Sequence, residues 1–374
     1  MAAITIEALT FSYPGAAEPT LDALSLEIAA GEAHALLGGS GAGKTTLLNL
    51  LSGLLQPTGG TLRLGGRSLA GVAPGARRTA QVFQFPVLYD RLSLLDNLTM
   101  PLRARGVRRR PRNERGRAIA TQLEFEALGM ADLERMRPGV LSLYQKQLLA
   151  IGRALATPRL ELLLLDEPLT AVQPSAKWRL RQTLKAVQAE LGMTMVYVTH
   201  DQTEALTFAD RVSVMRDGVI LQSAPPRDLY ERPAHTYVGH FIGSPGLNLI
   251  DAELVGETLV REDWRCPLPA ALAQRCTPGP VQLGFRPEWA QVITGAAAER
   301  AADAALLPAA VAGATVQGRD ASGDYGLLAL SVPEPVRVQT ALSRPLPQRA
   351  LLHLTQLVLF QDDIQVGLFS GGES

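Results

Sequence analysis

Apolar residues recur along this chain in two rhythms, and the points where the rhythm changes mark its elements. Residues 3–11 and 22–28 alternate over short stretches and predict strands. The run Ala33-His34-Ala35-Leu36-Leu37 is continuously apolar but for one histidine and predicts a buried strand that ends in a glycine-rich loop. Lys44 to Leu55 then repeats at helical spacing. From 88 to 160 the texture changes to Leu/Ala/Arg stretches with few β-branched residues, which predicts helices. A strand follows at Leu162–Leu165, a helix over 175–191 and a strand over Met193–Thr199. That order implies parallel βαβ units with 88–160 as a helical insertion.

Turn formers gather between Pro233 and Gly246 and predict a domain boundary. Beyond it lie short alternating runs (281–283, 336–338 and 357–360) separated by Pro and Gly, which read as a small β-rich domain. No repeat recurs at a period of 20–50 residues.

A length of 374 residues fits roughly two domains at about 150 residues each. Lys+Arg and Asp+Glu both number 36, so the total charge shows no nucleic-acid footprint. Only four lysines (Lys44, Lys146, Lys177, Lys185) stand among the basic residues, so each has individual interest. With 47% hydrophobic and 19% charged residues the chain can bury ordinary cores. No apolar run approaches the ~20 residues needed to cross a bilayer, and the first residues lack the basic and apolar regions of a secretory signal. Cys266 and Cys276 cannot form a disulfide framework. A soluble, intracellular, multi-domain protein is expected. The eight arginines and one glutamate between Arg103 and Arg117 read as a solvated face.

The chemistry is concentrated in Gly38-Gly39-Ser40-Gly41-Ala42-Gly43-Lys44-Thr45, which fits G-x-x-x-x-G-K-[ST] between a strand and a helix. Glycines let backbone N–H groups close around phosphate oxygens. Lys44 supplies a point charge to the β/γ-phosphates, the Thr45 hydroxyl can ligate Mg²⁺, and the helix start adds its dipole. A second carboxylate for the metal stands where Leu162–Leu165 runs into Asp166-Glu167-Pro168. A strand end can aim Asp166 at Mg²⁺ while Glu167 polarises an attacking water.

With these residues the chain resembles the ATP-binding subunits of ABC transporters, over nearly its whole length, and specifically those of sugar and polyol importers of the maltose type. The resemblance implies an α/β P-loop NTPase domain with a helical insertion, followed by a small β-rich, OB-like regulatory domain. It places Tyr13 against adenine, Thr46 with the phosphate loop, Gln84 beside Mg²⁺ and the membrane subunits, and His200 at the γ-phosphate. Gly284-Phe285-Arg286-Pro287-Glu288 is similar to the recurring turn of the regulatory domain. The implied division is an ATPase domain over 1–235 with its helical subdomain at about 88–160, a junction over 236–247 and a regulatory domain over 248–374.

Two places depart from the family pattern. The signature loop, normally Leu-Ser-Gly-Gly-Gln, reads Leu141-Ser142-Leu143-Tyr144-Gln145. The loop after Glu167, normally ending in aspartate, reads Thr170-Ala171-Val172-Gln173. In the family both act on the nucleotide held by the opposite subunit. Side chains in place of glycines would impair that capping, or Ser142 and Gln145 could persist only as a helix capping box. Degenerate signatures of this kind resemble the unequal paired ATPases of glycerol or glycerol-phosphate importers. The resemblance therefore implies ATP and Mg²⁺ as cofactors. The implied partners are permease subunits, a second ATPase subunit (a heterodimer before a homodimer) and, indirectly, an extracytoplasmic solute-binding protein, with no nucleic acid. The implied location is the cytoplasmic face of the cell membrane, held peripherally. The rival readings are an ABC ATPase outside transport and a regulatory nucleotide binder.

Overall fold

The computed structural model describes residues 2–123, 130–170, 172–261, 264–293, 306–320, 323–332, 334–342 and 349–370. The chain divides into two compact units, Met1–Pro226 and Arg227–Ser374.

The first unit is built on a six-stranded sheet in the spatial order Val219–Ala224, Arg211–Arg216, Ala33–Gly38, Thr194–Thr199, Leu162–Asp166, Thr79–Val82. Every pairing is parallel except the hairpin between the first two strands. The strands Ala33–Gly38, Leu162–Asp166 and Thr194–Thr199 are buried at every position. Continuous apolar runs are what a parallel sheet covered on both faces requires. Register fixes the site: Leu37 lies opposite Thr199 and Asp166 opposite Val198. The loops after Gly38, Asp166 and Thr199 therefore leave the sheet from one carboxyl edge, where open α/β sheets bind ligands.

A four-stranded antiparallel sheet (Leu21–Ile28, Ile4–Phe11, Gly59–Leu64, Arg67–Ser68) shares a core with the helix Lys44–Ser52, in which Ile4, Ile6, Leu47, Leu48 and Leu51 join Leu162 and Val196. The helix stops at Ser52, short of the expected Leu55, because Gly53 turns left-handed at φ 88°. Arg77 fills the space beside it; a Cβ on Gly53 would lie 2.5 Å from Arg77 Nε.

The insertion carries the helices Leu94–Ala104, Arg109–Gln122, Met130–Arg135 and Leu143–Leu155. Ser93 caps the first by accepting from the Asp96 amide at 3.1 Å. Gly152 lets the last pack closely, since a Cβ there would meet Leu98 Cδ2 at 2.5 Å.

The second unit holds two antiparallel sheets. One runs Trp264–Pro267, Thr258–Arg261, Asn248–Val255, Gly279–Phe285, Gln356–Gln361, Ile364–Ser370. The other runs Ala290–Ile293, Arg349–Leu354, Leu306–Asp320, Gly323–Val332, Glu334–Leu342. All three expected alternating runs lie in these strands. The segment 236–247 also falls in this unit, and Arg286 shows why. It is fully buried, donates to the carbonyls of Tyr230 and Gly239 at 3.0 and 2.9 Å and to that of Ile242, and lies 4.1 Å from the Tyr230 ring centre. Burial pulls its pKa down to about 10. Among the described residues no helix is long and apolar enough to cross a membrane.

Candidate functional site

The loop Gly38–Thr45 joins a buried strand to the helix Lys44–Ser52. Its glycines are forced by different neighbours. A Cβ on Gly38 would sit 2.3 Å from the Met215 carbonyl oxygen, and one on Gly43, at φ 93°, would sit 2.7 Å from Leu21 Cδ2. The Ser40, Gly41 and Thr45 positions are exposed, while Ala42, Lys44 and Thr46 are buried. Lys44 Nζ donates to the carbonyls of Gly38 at 2.9 Å and Gly39 at 2.7 Å, which folds the loop over the ammonium. Burial lowers the Lys44 pKa, and the nearby carboxylates of Glu167 and Asp166 oppose that shift.

Asp166 ends its strand beside this loop. Its carboxylate accepts from the Thr45 hydroxyl at 3.2 Å. Burial raises its pKa; the Thr45 bond and Lys44 pull it down, and the Glu167 charge adds to the rise. A positive and a negative group, both held out of water without an ion pair between them, form a site preset for a ligand bearing complementary charges.

Glu167 is the hub of a second group. Its φ of +44° is unusual for a residue with a Cβ and turns the chain sharply off the strand. One carboxylate oxygen lies 3.1 Å from His200 Nδ1. The other accepts from Thr170 Oγ1 at 3.0 Å and Gln84 Nε2 at 3.4 Å. Thr170 was not singled out from the sequence; only its i+3 spacing from Glu167 could have marked it.

Tyr13 is exposed, stands edge-on to Phe11 with ring centres 4.9 Å apart, and shares a hydrogen bond with Thr46 Oγ1 at 3.2 Å. Its ring is thus tethered to the end of the phosphate loop.

Ser142, Leu143, Tyr144 and Gln145 form a separate group at the start of the helix Leu143–Leu155. Ser142 and Gln145 close a capping box, with Leu143 exposed between them. Gln147 in the same helix donates to the Phe83 carbonyl at 3.4 Å, so this helix holds the segment that carries Gln84. Of the expected loop after Glu167, Ala171 lies outside the described residues; Gln173 is the N-cap of the helix Pro174–Leu191.

These residues fit a nucleoside triphosphate with Mg²⁺. Gly38 and Gly43 let the loop pack against Met215 and Leu21, while Gly41, at φ 83° with nothing within 4 Å of its Cβ position, stands on an exposed rim beside Ser40. The metal donors on offer, Thr45 Oγ1 and Asp166, are hard oxygens. Among the described residues no cluster of three or more His, Cys, Asp or Glu could hold an ion by itself. The two oxygen donors suit Mg²⁺, which takes one or two carboxylates and completes its shell with phosphate and water.

Residues 21–170 match the family model described as ABC transporter. The chain is similar to the diacetylchitobiose uptake system ATP-binding protein MsiK of Streptomyces coelicolor, at 34% identity over 95% of each chain. It is 38% identical to the sn-glycerol-3-phosphate import ATP-binding protein UgpC of Jannaschia sp., over 77% of this chain and 80% of that one. The dimeric post-hydrolysis state of the ATP-binding cassette MJ0796 bound to ADP and Pi superposes with a TM-score of 0.53 at 29% identity, covering 60% of this chain and 99% of that one.

Proposed function

We propose a working mechanism for a chain that belongs to the ABC transporter family, as the ATP-hydrolysing subunit that energises import of a sugar, polyol or glycerol-type solute. The observation that carries the mechanism is the convergence of Gln84, Thr170 and His200 on the Glu167 carboxylate, beside the Thr45–Asp166 pair.

Backbone N–H groups of Gly38–Thr46 and the Lys44 ammonium hold the β- and γ-phosphates, and Tyr13 stacks on adenine. Thr45 and Asp166 would hold Mg²⁺, and Gln84, which donates to Glu167 beside them, would be available to sense it. When bound, the ion neutralises charge on the phosphate oxygens. Glu167 orients and polarises the attacking water, a contribution of about 10²–10⁴-fold for a positioned base. His200 and Thr170 keep the Glu167 carboxylate in place, and His200 can donate toward the γ-phosphate. Ser142–Gln145 face the nucleotide of a second ATPase subunit. Residues 248–374 regulate or stabilise that pairing.

The segment after Gln84 supports membrane-subunit docking. Phe83, Phe85, Val87 and Tyr89 are all exposed, and Asn97, fully buried, bonds the Tyr89 backbone at 2.9 and 3.0 Å to keep the segment in shape. An exposed apolar surface next to the site suits the cytoplasmic loops of permease subunits. The chain is then a peripheral subunit at the cytoplasmic face of the membrane, and an extracytoplasmic binding protein selects the solute. Mass spectrometry of proteins co-purifying from detergent-solubilised membranes tests this. Integral permease subunits should accompany the chain; recovery of the chain with ribosomes or nucleic acid and no membrane protein would overturn it.

A further inference from the structure

Lys177 is one of only four lysines in the chain, and its ammonium meets a carboxylate that nothing in the hydrolytic mechanism uses. Glu204, 3% exposed, accepts from Lys177 Nζ at 2.9 Å through one oxygen. Its other oxygen accepts from Tyr197 Oη at 2.9 Å and Thr199 Oγ1 at 3.0 Å. Burial, and next the Glu204 charge, push the Tyr197 phenol well above its ordinary pKa, so Tyr197 stays a donor.

The position of these bonds is informative. Thr199 directly precedes His200, and its hydroxyl oxygen also accepts from the Asp201 amide at 3.0 Å, a bridge that spans His200. Asp201 in turn caps the helix that carries Glu204, accepting from the amides of Thr203 and Glu204 at 2.8 and 3.2 Å. Both backbone neighbours of His200 are therefore locked to Glu204, while the imidazole itself is largely exposed. Lys177 comes from the helix Pro174–Leu191, which begins where the loop after Glu167 ends. The ion pair thus joins the two loops whose tips meet in the Glu167–His200 contact.

We propose that Glu204 and Lys177 are positioning residues for hydrolysis: Glu204, through Thr199, sets the backbone at His200, and Lys177 ties that setting to the loop carrying Glu167. The inference rests on the role given above to His200, but its test does not.

The test is ¹⁵N-histidine NMR of the full chain, with the His200 resonances assigned by their loss in His200→Ala. In the parent, the imidazole held against Glu167 should show nitrogen shifts distinct from those of a free histidine, and Glu167→Gln should move them. Lys177→Met and Glu204→Gln should release His200 to free-histidine shifts, and Lys177→Arg should restore the parent signature. Because Lys177→Met leaves Glu204 buried without its cation and can fail to fold, Thr199→Val is the second variant. It keeps the ion pair and removes only the hydroxyl that carries its effect, and it too should release His200. In the assembled ATPase each releasing variant should lower kcat, by about 10²-fold for a displacement near 1 Å, with KM for ATP unchanged. An unmoved His200 signature in folded Thr199→Val would overturn the proposal, whatever His200 does to phosphate.

Discussion

Gln145 and Ser142 satisfy each other: the Gln145 amide donates to Ser142 Oγ at 3.3 Å, and the Ser142 amide donates to Gln145 Oε1 at 2.9 Å. The two polar residues that survive from the signature loop are thus employed in capping their own helix, and Leu143 stands exposed at its first position. Leu143 and Tyr144 put side chains where the family pattern has two glycines and a bare backbone. The resemblance implies that such a backbone caps the nucleotide of the opposite subunit.

A homodimer of this chain should accordingly be a poor ATPase, since losing one preorganised donor costs roughly 10²–10³ in rate. Paired with a subunit that carries a complete signature, the site on this chain's Lys44 should fire and the partner's should lag. Steady-state ATPase of the subunit alone against the assembled complex measures the difference. Leu143→Gly with Tyr144→Gly should raise turnover at the partner's site; an unchanged rate in a partner with its own base would count against the asymmetry.

Asp166→Asn should raise the melting temperature of the nucleotide-free chain near neutral pH while removing Mg²⁺-dependent hydrolysis. The sign follows from the upward shift of the folded pKa, caused first by burial. The ionised carboxylate costs stability above that folded pKa, and the cost vanishes as pH falls below the unfolded value. The advantage of asparagine should therefore shrink on acidification. A variant less stable than the parent near neutral pH would show that the Thr45 and Lys44 contacts outweigh burial.

Arg77→Met should destabilise the first unit without touching the nucleotide ligands. Arg77 is 2% exposed and donates to the carbonyls of Leu50, Leu51, Leu69 and Val72. It closes the carboxyl end of the helix that starts at Lys44. Each buried acceptor left unpaired costs about 1–3 kcal/mol, so denaturant unfolding should show a loss of at least about 2 kcal/mol. Stability equal to the parent's would mean that water replaces the guanidinium.

What could be read from the sequence shares one property: its signals are contiguous. The phosphate loop, Asp166-Glu167 and the strands that aim them are each a few residues long, and an apolar strand between turns is visible without knowing its partners. The roles of Arg77 and Glu204 escaped because no contiguous motif marks their partners: carbonyls as far back as Leu50 for Arg77, and the Lys177 ammonium with the Tyr197 and Thr199 hydroxyls for Glu204. An arginine that closes a helix end reads the same in sequence as one that faces water. Turn formers and the resemblance mark 236–247 as a junction, and the contacts that hold this stretch, from the buried guanidinium of Arg286 to the Gly239 and Ile242 carbonyls, are ones that no local pattern displays. The capping box of Ser142 and Gln145 was legible as an alternative, since its Ser-x-x-Gln spacing is local.

If Glu167 activates the attacking water, Glu167→Gln removes that capacity while leaving the side chain's shape in place. The amide keeps the size of the side chain and an oxygen for Thr170 and Gln84, so the loop geometry should persist. MgATP affinity, read by equilibrium binding on the full chain, should match the parent. Turnover in the assembled transporter should fall by about 10²–10⁴-fold. Parent-like turnover with intact binding would mean that the carboxylate on which Gln84, Thr170 and His200 converge has no part in the chemistry.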